Sequence, residues 1–122
     1  MKRIFLYLMF LVYAAGGINH FVNPGFYEAI MPEWLPLHAV LNIISGISEI
    51  VLAMMLLSGK TRKFSSYLII VMLIIFLAVI HIPMAIDFYM TGHPGLWIAI
   101  VRLPLQFVLI LWAWLYTKPL IS

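Results

Sequence analysis

Four stretches of this chain are each about twenty residues long and almost wholly apolar. They run from Ile4 to about Phe21, from about Leu37 to Leu57, from Phe64 to about Pro83, and from about Leu96 to Tyr116. A bilayer core of ~30 Å needs about 20 apolar residues in a helix to cross it. The runs are continuously apolar instead of alternating, which sets aside a β-barrel. Only 9% of the residues are charged and 66% are hydrophobic. Soluble domains average about 25% charged and 45–50% apolar, so these charges could not cover a water-facing surface. The sequence predicts an all-α, four-helix transmembrane bundle, a single domain over residues 1–122.

The first run also has signal-peptide features: Lys2-Arg3, an apolar stretch, and small residues at Ala14-Ala15-Gly16. It is long enough to span, so it reads as a retained helix.

Basic residues in short loops set the expected orientation. Lys2 and Arg3 precede the first run, Lys60, Arg62 and Lys63 join the second to the third, and Lys118 follows the fourth. Loops 22–36 and 84–95 carry no Lys or Arg. This pattern predicts both termini in the cytoplasm and two outer loops. Tyr27, Trp34, Tyr89 and Trp97 fall where outer interfacial aromatics belong. Pro24, Pro32 and Pro36 divide the first outer loop into short rigid pieces. Its Phe26, Ile30, Met31 and Trp34 predict a short interfacial segment across the outer mouth of the bundle.

The net charge of +3 is not a nucleic-acid signal, because no basic face forms. The chain has no cysteine, which excludes disulfides and thiolate chemistry. It carries no phosphate loop, nucleophile triad or His-Glu metalloprotease motif.

Helical phase then groups the polar residues. At 100° per residue, Asn42, Ser45, Gly46, Glu49 and Ala53 share one face of the second run. Arg102 and Gln106 share a face of the fourth, with Ala113 and Tyr116 beyond them. Val12, Ala15, Gly16 and Asn19 share a face of the first, and Ile74, Leu77, Ala78 and His81 a face of the third. Polar and small-residue stripes face the bundle interior, where polar groups find partners away from lipid. A lone charge at a helix centre costs roughly 2.5–3.5 kcal/mol on insertion scales, so such residues mark sites by default.

The expected site is a polar pocket in the outer half, built from Asn19, His20, Asn42, Ser45, Glu49, His81, Arg102 and Gln106. A purely structural reading stands beside it, in which Glu49 and Arg102 neutralise each other and specify helix pairing. Taken singly, His20, His38 and His93 read as interfacial histidines. Haem ligation needs facing histidine pairs, and a metal site needs Glu49, His20 and His81 to converge in depth. An apolar slot with one or two donors, as a quinone or lipid requires, suits His81, Arg102 and Gln106 without strain. Pro104 frees the carbonyl of Ile100, which kinks a helix or lines a cavity.

The residues now in view resemble the DoxX-like family of small four-helix membrane proteins. The likeness runs from about Gly16 to Tyr116. It rests on Gly17-Ile18-Asn19-His20-Phe21 with Pro24, on Pro32 and Leu35-Pro36, on Ser45-Gly46 with Glu49, and on Arg102-Leu103-Pro104-Leu105-Gln106. The chain departs from that pattern at His81-Ile82-Pro83-Met84-Ala85, where relatives tend to carry proline-alanine-asparagine. The resemblance implies a four-helix bundle with a buried polar cluster in a bacterial inner membrane. It also implies roles ranging from the membrane subunit of a quinone-linked oxidoreductase to an assembly chaperone. The expected function is a non-enzymatic accessory module, binding quinone, lipid, a membrane partner or a second copy of itself. The alternative is the oxidoreductase subunit; a transporter would need an oligomer.

Overall fold

The structure, a computed structural model, describes residues 2–118, which are mostly helical and contain no strand. The elements are α1 (Lys2–Val22), α2 (Pro24–Ile30), α3 (His38–Leu57), α4 (Arg62–Phe76), α5 (Ile82–Thr91) and α6 (Leu96–Trp114). A π-turn, Leu77–His81, joins α4 to α5, and a 3₁₀ turn, Leu115–Thr117, follows α6. Four of the helical segments are long and apolar enough to cross a membrane: Lys2–Val22, His38–Leu57, Arg62–Thr91 and Leu96–Thr117. Their outward faces are large exposed hydrophobics such as Leu11, Ile47, Val71 and Val108, which suit contact with lipid.

The third span differs from its sequence expectation. It does not end at Pro83 but runs unbroken to Thr91. Proline lacks an N–H and its ring clashes with the carbonyl four residues back, so a continuous α-helix would break there. The chain widens by one residue instead: the N–H of Ile82 bonds the carbonyl of Leu77, five residues back. Pro83 then falls in the first turn of α5, where no N–H is needed. Most of the expected outer loop 84–95 is therefore helix, and the turn itself is confined to Gly92–Gly95. Gly92 sits at φ 69°, the left-handed conformation that ends α5. His93 shapes the turn by stacking on Phe88 at 3.9 Å and accepting the Gly95 N–H at 2.8 Å.

Two glycines hold α1 against α3. A Cβ built on Gly17 would lie 2.7 Å from the Gly46 carbonyl and 2.6 Å from Ile50 Cγ1. One built on Gly46 would lie 3.0 Å from the Gly17 carbonyl and 2.8 Å from His20 Cβ. Backbone meets backbone here, the close approach that small residues permit between membrane helices.

One end of the bundle is tightly packed. Leu6, Met9, Leu56, Ile69, Ala113 and Tyr116 meet there in one core with Tyr13, Leu52, Ala53 and Leu73. Several polar groups at this end are satisfied within the protein. Ser65 donates to the Leu52 carbonyl at 2.6 Å, and Tyr116 donates to the Lys2 carbonyl at 3.0 Å. Thr61 and Arg62 donate to the Met55 and Leu56 carbonyls, closing the end of α3. Lys2, Arg3, Lys60, Arg62, Lys63 and Lys118 all lie at this end, while Glu28, Glu33 and Asp87 lie toward the other.

Candidate functional site

At the opposite end the helices do not close on one another. A cavity of about 490 Å³ lies between the α1–α3 pair and the wall formed by α4, the π-turn and α6. That volume is within the ~300–1,000 Å³ usual for ligand pockets. Leu41, Leu73, Phe76, Val79, Ile80, Leu105 and Leu109 give it an apolar lining. Its roof is α2 and the segment after it, through Tyr27, Ile30, Met31 and Leu35. This is the segment expected to cross the mouth of the bundle. It is pinned at both ends. His38 donates to the Pro32 carbonyl at 2.9 Å, and Ile30 packs on Met84, Ala85 and Ala99 of α5 and α6.

His20 is the hinge of the α1–α3 side. It is only 5% exposed, so it is a buried residue and not an interfacial one. Asn42 accounts for the burial by meeting it twice. Asn42 Nδ2 donates to the His20 carbonyl at 2.8 Å, which turns its side-chain oxygen toward the imidazole. That oxygen can only accept, so His20 Nδ1–H donates to it at 2.6 Å. With Nδ1 committed, Nε2 faces Glu49 Oε2 at 3.4 Å. Gly16 leaves room for the carboxyl group: a Cβ there would lie 3.2 Å from Oε2. Tyr27 stacks on the His20 ring at 3.7 Å, and its hydroxyl accepts from Asn19 at 2.7 Å. The roof and the polar cluster are thus one assembly.

The facing wall carries His81, Arg102 and Gln106. Gln106 is buried and donates to the Leu73 carbonyl at 2.8 Å, tying α6 to the turn just before the helix widens. Arg102 reaches Met84 Sδ at 4.0 Å. Among the described residues, the carboxylate of Glu49 pairs with His20 and not with Arg102. The purely structural alternative, in which Arg102 neutralises Glu49, gives way to a pair between neighbouring helices α1 and α3. Three buried polar atoms of the lining have no hydrogen-bond partner: Tyr13 Oη, Glu49 Oε2 and His81 Nδ1. Among the described residues, no three His, Asp or Glu side chains gather as a metal site would require; His20 and Glu49 meet, and His81 stands apart.

Of the eight residues expected to form the site, His20, Ser45, Glu49, His81, Arg102 and Gln106 line the cavity. Asn42 stands behind His20, and Asn19 links to the roof. The stripe on α3 has the expected phase, with Asn42, Gly46, Glu49 and Ala53 buried. That on α1 is shifted. Leu6, Met9, Tyr13, Gly17 and His20 are buried, while Ala15 is exposed and Val12, though exposed, lines the cavity. On the third span the expected His81 face fails, because Ile74 and Ala78 are exposed. The π-turn rotates everything after Phe76 relative to α4. Tyr13 and Tyr27 belong to the site and were not among the expected residues. The signal for Tyr13 was its position one turn before Gly17 on the buried stripe.

The chain belongs to the DUF8561 family, a domain of unknown function, which matches residues 9–117. No curated protein and no solved structure matches it.

Proposed function

We propose that this member of the family is a membrane-embedded binding module whose roofed cavity holds a lipophilic small molecule, a quinone or a lipid. The observation that carries the reading is the coincidence of an apolar cavity of about 490 Å³ with two buried polar atoms in its lining that have no partner, Tyr13 Oη and His81 Nδ1. Buried polar groups are normally hydrogen-bonded, and each one left unsatisfied costs about 1–3 kcal/mol. A ligand with an apolar body and one polar end meets both features. The resemblance to DoxX-like proteins supports an accessory role beside a larger complex, with a membrane partner as the second kind of occupant. The distribution of basic residues supports both termini in the cytoplasm, and a bacterial inner membrane fits the resemblance.

The His20–Glu49 pair favours a second reading, a membrane subunit of a quinone-linked oxidoreductase. A carboxyl–imidazole pair beside a lipophile cavity is suited to protonating a reduced carbonyl. That reading requires a redox partner protein to copurify.

The test is mass spectrometry of lipophiles extracted from gently purified wild type, Glu49→Gln and Arg102→Gln proteins. The binding reading expects one compound enriched in the wild type and depleted in at least one folded variant. Bulk membrane lipid in all three proteins would contradict it.

A further inference from the structure

Resting on the cavity reading above, we infer that the occupant is anionic: a single-chain amphiphile whose carboxylate meets Arg102 while its chain fills the cavity. The first ground is the state of Arg102. Its guanidinium is half-buried on the cavity wall, and its side-chain hydrogen-bond partner among the described residues is a methionine sulfur 4.0 Å away. Guanidinium groups take carboxylates or phosphates through paired N–H donors, and a thioether is a weak acceptor. The negative charge available inside the bundle, Glu49, is engaged with His20 at 3.4 Å. Among the described residues, the cation on this wall therefore lacks a counter-charge of its own.

The second ground is independent. His81 Nδ1 is buried without a partner on the same wall, close enough to Arg102 for the two to interact electrostatically. An anionic head would find two groups there, one charged and one able to donate, where a neutral lipophile needs only one. The third ground is shape. About 490 Å³ beneath a pinned roof accommodates one chain. A diacyl lipid would bring its phosphate to the same guanidinium but leave a chain outside.

The probe is radiolabelled oleate, equilibrated with the intact protein in a neutral detergent, with methyl oleate as its uncharged twin. The expected result is one saturable oleate per chain, with methyl oleate binding far more weakly. Arg102→Gln lowers oleate affinity roughly ten- to hundred-fold, the scale of one charge-assisted hydrogen bond, and leaves methyl oleate unchanged. Arg102→Lys, which keeps the charge, restores most of the loss. Equal binding of oleate and methyl oleate to the wild type would overturn the anionic head while leaving the lipophile cavity standing. This comparison holds even if Arg102→Gln does not fold. Saturable binding of neither probe removes both readings. Displacement of oleate by phosphatidylglycerol at equal concentration would reassign the head to a phosphate and overturn the single-chain assignment.

Discussion

The two ends of this bundle use the same four helices to opposite effect. At the basic end, Leu6, Met9, Leu56, Ile69 and Tyr116 are almost wholly buried against one another, and serine and tyrosine hydroxyls donate to backbone carbonyls. At the other end α1 still grips α3, but α4 and α6 stand off across a cavity. What differs is local. The π-turn before Pro83 and the proline within α6 both lie in the hollow half, one widening the third span and the other removing a backbone N–H. The lesson is that a cavity in a small bundle is made by irregular backbone on one wall held against a rigid pair on the other. π-turns are frequent at functional positions.

The rigid pair is where the contrast breaks most easily. Gly17→Ala or Gly46→Ala places a methyl group within 3.0 Å of backbone on the facing helix. Each is expected to destabilise by about 1–3 kcal/mol or more, read as a lowered thermal midpoint in detergent. Gly25→Ala, which meets nothing within 4 Å, is the matched control and should change little. Equal midpoints for all three would show that the α1–α3 crossing is looser than described.

Truncations sharpen the comparison of the two ends. Leu56→Ala removes a side chain that is 0% exposed in the packed core, and a loss of about 2–5 kcal/mol is expected. Ile80→Ala removes a cavity-lining side chain that is already only half-packed, and a loss below about 1 kcal/mol is expected. A similar midpoint shift for both would mean that the two ends are packed alike.

The smallest effect belongs to the hinge of the roof. Leu37 sits at φ 56°, left-handed for a residue with a Cβ, between Pro36 and the start of α3. That conformation costs a non-glycine residue roughly 1–2 kcal/mol, and glycine's extra chain entropy returns about 0.5–1. Since Leu37 is 70% exposed, Leu37→Gly is expected to raise the thermal midpoint slightly. A clear fall would show that its side chain has a packing role that its exposure conceals.

Much of this architecture was readable from residue type alone. Four spans followed from four apolar runs, and the roof followed from aromatic and proline residues in a loop too apolar for water. Phase on α3 was readable because Asn42, Gly46 and Glu49 recur every three to four residues in a helix with no break. On α1 the polar residue nearest the small-residue stripe, Asn19, drew the reading one position off. The buried residue is His20, because Asn42 on a different helix offers it both an acceptor and a donor. Partnership across 22 residues of sequence leaves no local signature. Pro83 misled for a related reason. A proline states that an α-helix cannot continue, but not that the backbone will widen by one residue and go on. The His81 face was lost with it. The pairing of Glu49 was equally hidden, since depth along a helix does not tell which neighbour lies across from it.

The central claim is that the bundle leaves room at its centre at one end and is packed at its centre at the other, and adding volume to each end tests it most directly. Val79→Phe enlarges a side chain on the cavity wall, and Ala113→Phe enlarges one that is 0% exposed in the packed core. Thermal unfolding of the two purified variants beside wild type is the measurement. The account predicts that Val79→Phe keeps or exceeds the wild-type midpoint, whereas Ala113→Phe loses about 1–3 kcal/mol of stability from overpacking. If Val79→Phe is destabilised as much as Ala113→Phe, there is no cavity to fill and the account is contradicted.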